Sequence, residues 1–146
     1  MKSYYINKNR ILPLIEREIS RVAAAAFGED GTPLYDAIVN TSRDEDVLKE
    51  MIDDAASALL TRLSDIAVYS SGLFEFTIPE ERTHDITTIG GVIDRFVVMN
   101  VCSAWFIQKY PAKAEEYGAR STDAMNKVER LLTEKLPPVA PVHKNN

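Results

Sequence analysis

Few residues in this chain are of a kind that does chemistry, and their spacing decides what each can do. His84 is a candidate for acid–base work, because it lies in the polar stretch Pro79-Glu80-Glu81-Arg82-Thr83-His84-Asp85. Loop histidines in such company also serve as surface or capping groups, and that plainer role is the expectation here. The other histidine, His143, falls in the C-terminal tail. Cys102 has no Cys or His three or four positions away, so a zinc site lacks its ligand set. Ser42 has no neighbouring histidine and reads as a helix cap before a nucleophile. Gly90-Gly91 lacks the spacing and the following lysine of a phosphate-binding loop. No catalytic residue, metal or cofactor is expected.

The carboxylates are more numerous than the nucleophiles. Asp46, Glu50, Asp53 and Asp54 fall at helical spacing, with Lys49 among them. Such a row can ligate a cation or dock a partner, but a metal site in a bundle draws Glu and His from several facing helices. A solvated acidic face is the simplest reading. Asp94 and Arg95 are more pointed, because both interrupt an apolar run. They read as an edge-exposed pair, or as a buried or interfacial ion pair. Tyr4, Tyr5, Tyr69, Trp105, Phe106 and Tyr110 suit a core or a subunit interface. Their spacing does not make a base-stacking platform.

The elements that must position these residues are mostly helices. Ile86 to Tyr110 is a long apolar segment with only Asp94, Arg95 and Lys109 as charges, and it reads as a helix that others surround. Asp94 and Arg95 also make it fall short of a membrane span. Apolar residues recur at helical spacing from Ile11 to Phe27, with Pro13 placing the start near Leu12. Leu34 to Val39 reads as a short helix or an irregular loop. Ser42 and Glu45 have capping-box spacing, which predicts a helix from Ser42 to about Tyr69. A last helix spans about Ala112 to Leu136, with a bend at Gly118 or a restart at Ser121 to Asp123. Between the second and third long helices the period changes. Leu73 to Ile78 alternates, with Phe74, Phe76 and Ile78 on one side and Glu75 and Thr77 on the other. A lone strand cannot satisfy its backbone. Its partner is either an extended part of Arg82 to Thr88 or a strand of another subunit.

The fold class is therefore all-α: a compact helical bundle with a short extended or β-hairpin insertion. One helical domain is expected over residues 1–136, followed by a flexible, proline-rich tail over 137–146. The chain has 146 residues, 45% of them hydrophobic, enough for one core. Seventeen basic against 22 acidic residues give a net charge of −5, which argues against a general nucleic-acid binder. The lone cysteine excludes an intrachain disulfide and suits reducing surroundings. The start, MKSYYINKNR, is basic but is followed by no apolar stretch of the kind a signal peptide needs.

The order of these elements is acidic-start helix Asp44 to Tyr69, extended Leu73 to Ile78, apolar helix Ile86 to Tyr110, and a terminal amphipathic helix. It resembles the small helical head–tail connector proteins of tailed phages and prophages, also called head-completion or DNA-packaging adaptors. Asp46 to Arg62 looks like that family's first core helix, and Trp105 to Tyr110 resembles the end of its central helix. The resemblance covers roughly Asp44 to Leu136; the helix at Ile11 to Phe27 departs from the shortest members.

It implies a non-catalytic structural subunit that self-associates in a ring and meets portal or tail proteins, in a virion or the host cytoplasm. DNA would only pass through the channel, with no specific nucleic-acid binding and no membrane contact. The expected contact residues are Leu73, Phe74, Phe76, Ile78, Arg82 and His84, around the strand whose partner is not evident in its own chain. The alternative is a helical regulatory or protein-interaction protein of a bacterial cell. An enzyme ranks below both, since no convergent polar constellation is evident.

Overall fold

The computed structural model describes residues 2–64, 67–70, 73–78 and 84–134. The apolar segment forms α4, Ile86–Lys109, and each of the other long helices packs on it. These are α1 (Lys8–Ala24), α3 (Glu45–Arg62) and α5 (Pro111–Thr133), with a single turn of helix, α2 (Tyr35–Ile38), against the far end of α4. Asp85 caps α4 by accepting the Thr88 N–H at 2.7 Å. Phe96 and Trp105 are buried, as their place on this helix predicts. The Trp105 indole N–H donates to the Ile38 carbonyl at 2.8 Å, so α2 is fastened to the core by a buried hydrogen bond. By length and composition α4 is apolar enough to cross a membrane, the one such helix among the described residues. More than half of that apolar window is buried inside the fold.

Side-chain bonds fix the directions of the helices. Arg10 meets Asp94 near the starts of α1 and α4, and Tyr117 joins Glu18 to Phe106 nearer their ends, so α1 and α4 run the same way. Arg62 pairs with Glu129 at the ends of α3 and α5, and His84 meets Glu134 where α4 begins. Helices α3 and α5 therefore run opposite to α4, which makes an up–down bundle.

Several boundaries differ from the sequence reading. Helix α1 starts at Lys8, because Asn7 caps it by accepting the Asn9 N–H at 2.9 Å. Pro13 then lies inside the helix rather than in its first turn. The Asn9 carbonyl loses its donor there, but both residues are exposed and solvent can replace it. The capping box sits one residue early. Thr41 accepts the Arg43 N–H and Asp44 accepts the Thr41 N–H, opening a 3₁₀ turn, Ser42–Asp44, that leads into α3. Helix α3 ends at Arg62, well before Tyr69. Helix α5 runs through Gly118 and residues 121–123 without a break.

The residues expected to finish α3 instead form strand β2, Ala67–Ser70, which with β3, Leu73–Ile78, makes the expected hairpin between two bundle helices. The basic start of the chain forms a third strand, β1, Lys2–Ile6. The order is β1-β3-β2, with β3 antiparallel to both neighbours and Tyr4 opposite Phe76. Neither expected partner of β3, an extended part of Arg82 to Thr88 or a strand of another subunit, is the one seen: β1 and β2 of its own chain take both edges. Its backbone groups are satisfied on both edges, once by a neighbour in sequence and once by a segment about 70 residues upstream. The expected pairing with Arg82 to Thr88 does not occur within the described part of that segment, where α4 begins at Ile86.

Candidate functional site

Of the six residues expected to meet a partner, three lie in the core. Phe74, Phe76 and Ile78 are buried with Ile6 beneath the sheet, while Glu75 and Thr77 stay partly exposed. The alternation holds, but the apolar side of β3 faces this chain's own helices. Replacing Phe74 and Phe76 with Ser would empty the core rather than edit a docking surface. Leu73 pairs with Ser70 at the hairpin end. Arg82 and the tail beyond 134 lie outside the described residues. The His84 Nε2 sits 2.5 Å from a Glu134 carboxylate oxygen, tying the start of α4 to the end of α5. The role is that of a fastener on the surface.

Two tyrosine–arginine–carboxylate clusters hold α1 to the bundle. In the first, one Arg10 nitrogen donates to the Tyr4 hydroxyl at 2.6 Å, to the Asp94 carboxylate at 2.9 Å and to the Tyr5 carbonyl at 3.3 Å. The guanidinium also lies over the Tyr4 ring, 5.2 Å from its centroid. The Tyr4 ring rests on the backbone of α4: a Cβ added at Gly90 would sit 2.2 Å from its Cε2. Glycine at 90 is therefore required by close approach, which is why a helix interior tolerates it despite its cost. Burial is the main reason that the Asp94 carboxyl is raised above its ordinary value, outweighing the hydrogen bonds from Tyr4 and Arg10 that pull it down. The Tyr4 hydroxyl is raised as well, by burial first and then by Asp94.

In the second cluster, the Tyr117 hydroxyl donates to Glu18 at 2.5 Å and accepts from Arg21 at 3.1 Å, while Arg21 also pairs with Glu18. The Tyr117 ring is fully buried and meets Phe106 edge-on at 5.2 Å. Burial alone would raise the Glu18 carboxyl, but the hydrogen bonds from Arg21 and Tyr117 outweigh it and leave the carboxyl lowered. Neighbouring Cys102 is buried, and burial first, with the Glu18 charge second, pushes its thiol up to about 12. It is a packing residue rather than a nucleophile.

The other charged groups lie on the surface. Asp53 pairs with Lys8 at 2.8 Å and Glu45 with Lys49 at 3.1 Å. Asp46, Glu50 and Asp54 are exposed and form no ion pair among the described residues. Among those residues no group of three His, Cys, Asp or Glu is placed to hold a metal ion. Arg95 faces a shallow groove of about 310 Å³ beside α5, lined also by Arg120, Asp123 and Lys127. Asp94 and Arg95 are thus not a pair, since Asp94 turns to Arg10 and Arg95 to solvent.

No family model, curated protein or solved structure matches this chain. Tyr4, Arg10, Glu18 and Tyr117 were not singled out as polar clusters by the sequence. One signal pointed at half of them: Asp94, a carboxylate interrupting an apolar helix, requires a cation from a neighbouring element. Which cation it takes depends on how α1 packs.

Proposed function

We propose that this chain is a non-catalytic structural adaptor, a subunit of a phage-like head–tail connector ring that works through its surfaces. The observation that supports the reading is the hairpin β2–β3, placed between bundle helices α3 and α4 and followed by α5, the element order in which the resemblance lies. The polar clusters between elements suit such a role. Arg10 serves three acceptors and Glu18 two donors, so both clusters work as fasteners between elements of one chain. Partners on this reading are further copies of the chain and portal or tail proteins. The test is co-expression with the products of neighbouring genes, followed by electron microscopy of the purified particles. Rings that bridge a portal and a tail complex are the expected result. Neighbouring genes of metabolism or transcription, with no ring formed, would overturn it.

A further inference from the structure

We propose that a second copy of this chain docks its α3 into the groove lined by α1, α4 and α5, by opposite charge. This contact rests on the ring-subunit reading and specifies which faces of the subunit meet. Charge is separated across the molecule. One groove of about 300 Å³ is lined by Arg21, Lys113, Glu116 and Arg120. Arg120 also lines the groove that holds Arg95, Asp123 and Lys127, so the two depressions adjoin at that side chain. Together they hold five cations and two carboxylates, in a chain whose net charge is −5. Helix α3 has the reverse balance, five carboxylates and two cations over Glu45–Arg62.

The charges left unpaired on the two faces are also opposite in sign. Arg95 and Lys127 form no ion pair among the described residues, and neither do Asp46, Glu50 and Asp54. Those three carboxylates recur every four residues, which puts them on one stripe of α3 about 12 Å long. Val47, 43% exposed beside the stripe, offers apolar contact within it. A nucleic acid fits the groove less well, since Glu116 and Asp123 inside it repel phosphates and the whole chain is acidic. Because the two faces differ, the contact is heterologous, and successive copies join head to tail into a ring where the rotation closes.

The test uses the full chain. Sedimentation equilibrium at about 0.01 M and about 1 M salt spans Debye lengths of about 30 and 3 Å. Association in low salt that dissolves in high salt is expected. Two variants are then made, R95E/K127E in the groove and D46K/E50K on α3, each checked for an unchanged helical spectrum. Each alone should associate about tenfold more weakly or worse, as attraction becomes repulsion. An equimolar mixture should recover association, because each variant keeps the face the other has lost. A wild-type monomer at every concentration in low salt, reversals without effect, or a mixture that stays monomeric would overturn the contact. So would duplex DNA protecting Arg95 and Lys127, which would make the groove a polyanion site. Normal incorporation of both variants into a connector ring would sink this contact and leave the adaptor reading standing. Rescued self-association with no connector partner found would do the opposite.

Discussion

The two tyrosine–arginine–carboxylate clusters use the same three side-chain types and fasten the same helix, yet they set their carboxylates in opposite directions. Asp94 is raised because burial dominates, and its one cation is shared among three acceptors. Glu18 is lowered because Arg21 and Tyr117 both direct hydrogen bonds at it and outweigh a burial of the same kind. Each carboxylate takes hydrogen bonds from one arginine and one tyrosine, so the balance of burial against those bonds decides the sign. The packing beneath also differs. Tyr117 is wholly enclosed against Phe106, whereas Tyr4 is half-buried and lies over a glycine at the edge of the bundle. One cluster is built into the core; the other fastens the first strand across it.

The largest expected effect separates the two tyrosines. Truncating Tyr117 to Ala should cost about 3–5 kcal/mol in urea unfolding, the range for a large buried aromatic. Tyr4→Ala should cost less, since its ring is only partly enclosed. Equal losses at the two positions would erase the distinction between core and edge.

Next in size are the adjacent glycines of α4. Gly90→Ala should destabilise by about 1–3 kcal/mol, because the methyl group collides with the Tyr4 ring and must displace it. Hydrogen exchange should then show residues 2–6 losing protection ahead of the helices. Gly91→Ala meets nothing within 4 Å and should stabilise by about 0.4–1 kcal/mol through the unfolded chain. A shared sign for the two substitutions would contradict the close approach of Tyr4.

The smallest effects are pH-dependent and opposite in direction. Glu18 is depressed in the fold, so its stabilisation is present above the ordinary glutamate value and is lost as pH falls through the folded value. The advantage of wild type over E18Q should therefore grow as pH rises from about 3 to about 6. Asp94 is raised, so the folded state binds its proton more tightly and stability falls as pH climbs from the ordinary aspartate value through the folded one. The advantage of wild type over D94N should shrink over the same interval. Denaturation midpoints across that range check both, and parallel slopes would erase the contrast between the two carboxylates.

The helices and the class of fold are legible in the residue pattern alone. Apolar spacing marked α4 as the central helix, and Phe96 and Trp105 lie buried where that spacing put them. The alternation over Leu73–Ile78 marked a strand with Phe74, Phe76 and Ile78 on one side. These signals are local, because a period of 3.6 or 2 is written in neighbouring residues. What covers each face is settled by packing. Strand β1 pairs with β3 across about 70 residues of sequence, and nothing in KSYYI specifies that distant partner. Residues 67–70 follow a helical pattern in sequence, yet the open edge of β3 offers their backbone a ladder and they are drawn into β2. The polar clusters were hidden for the same reason. Arg10 and Asp94 are 84 positions apart, and Glu18 and Tyr117 are 99. Their chemistry exists only once α1 has docked on α4 and α5, since burial and hydrogen bonding, which set each carboxylate, are properties of packing and not of residue type.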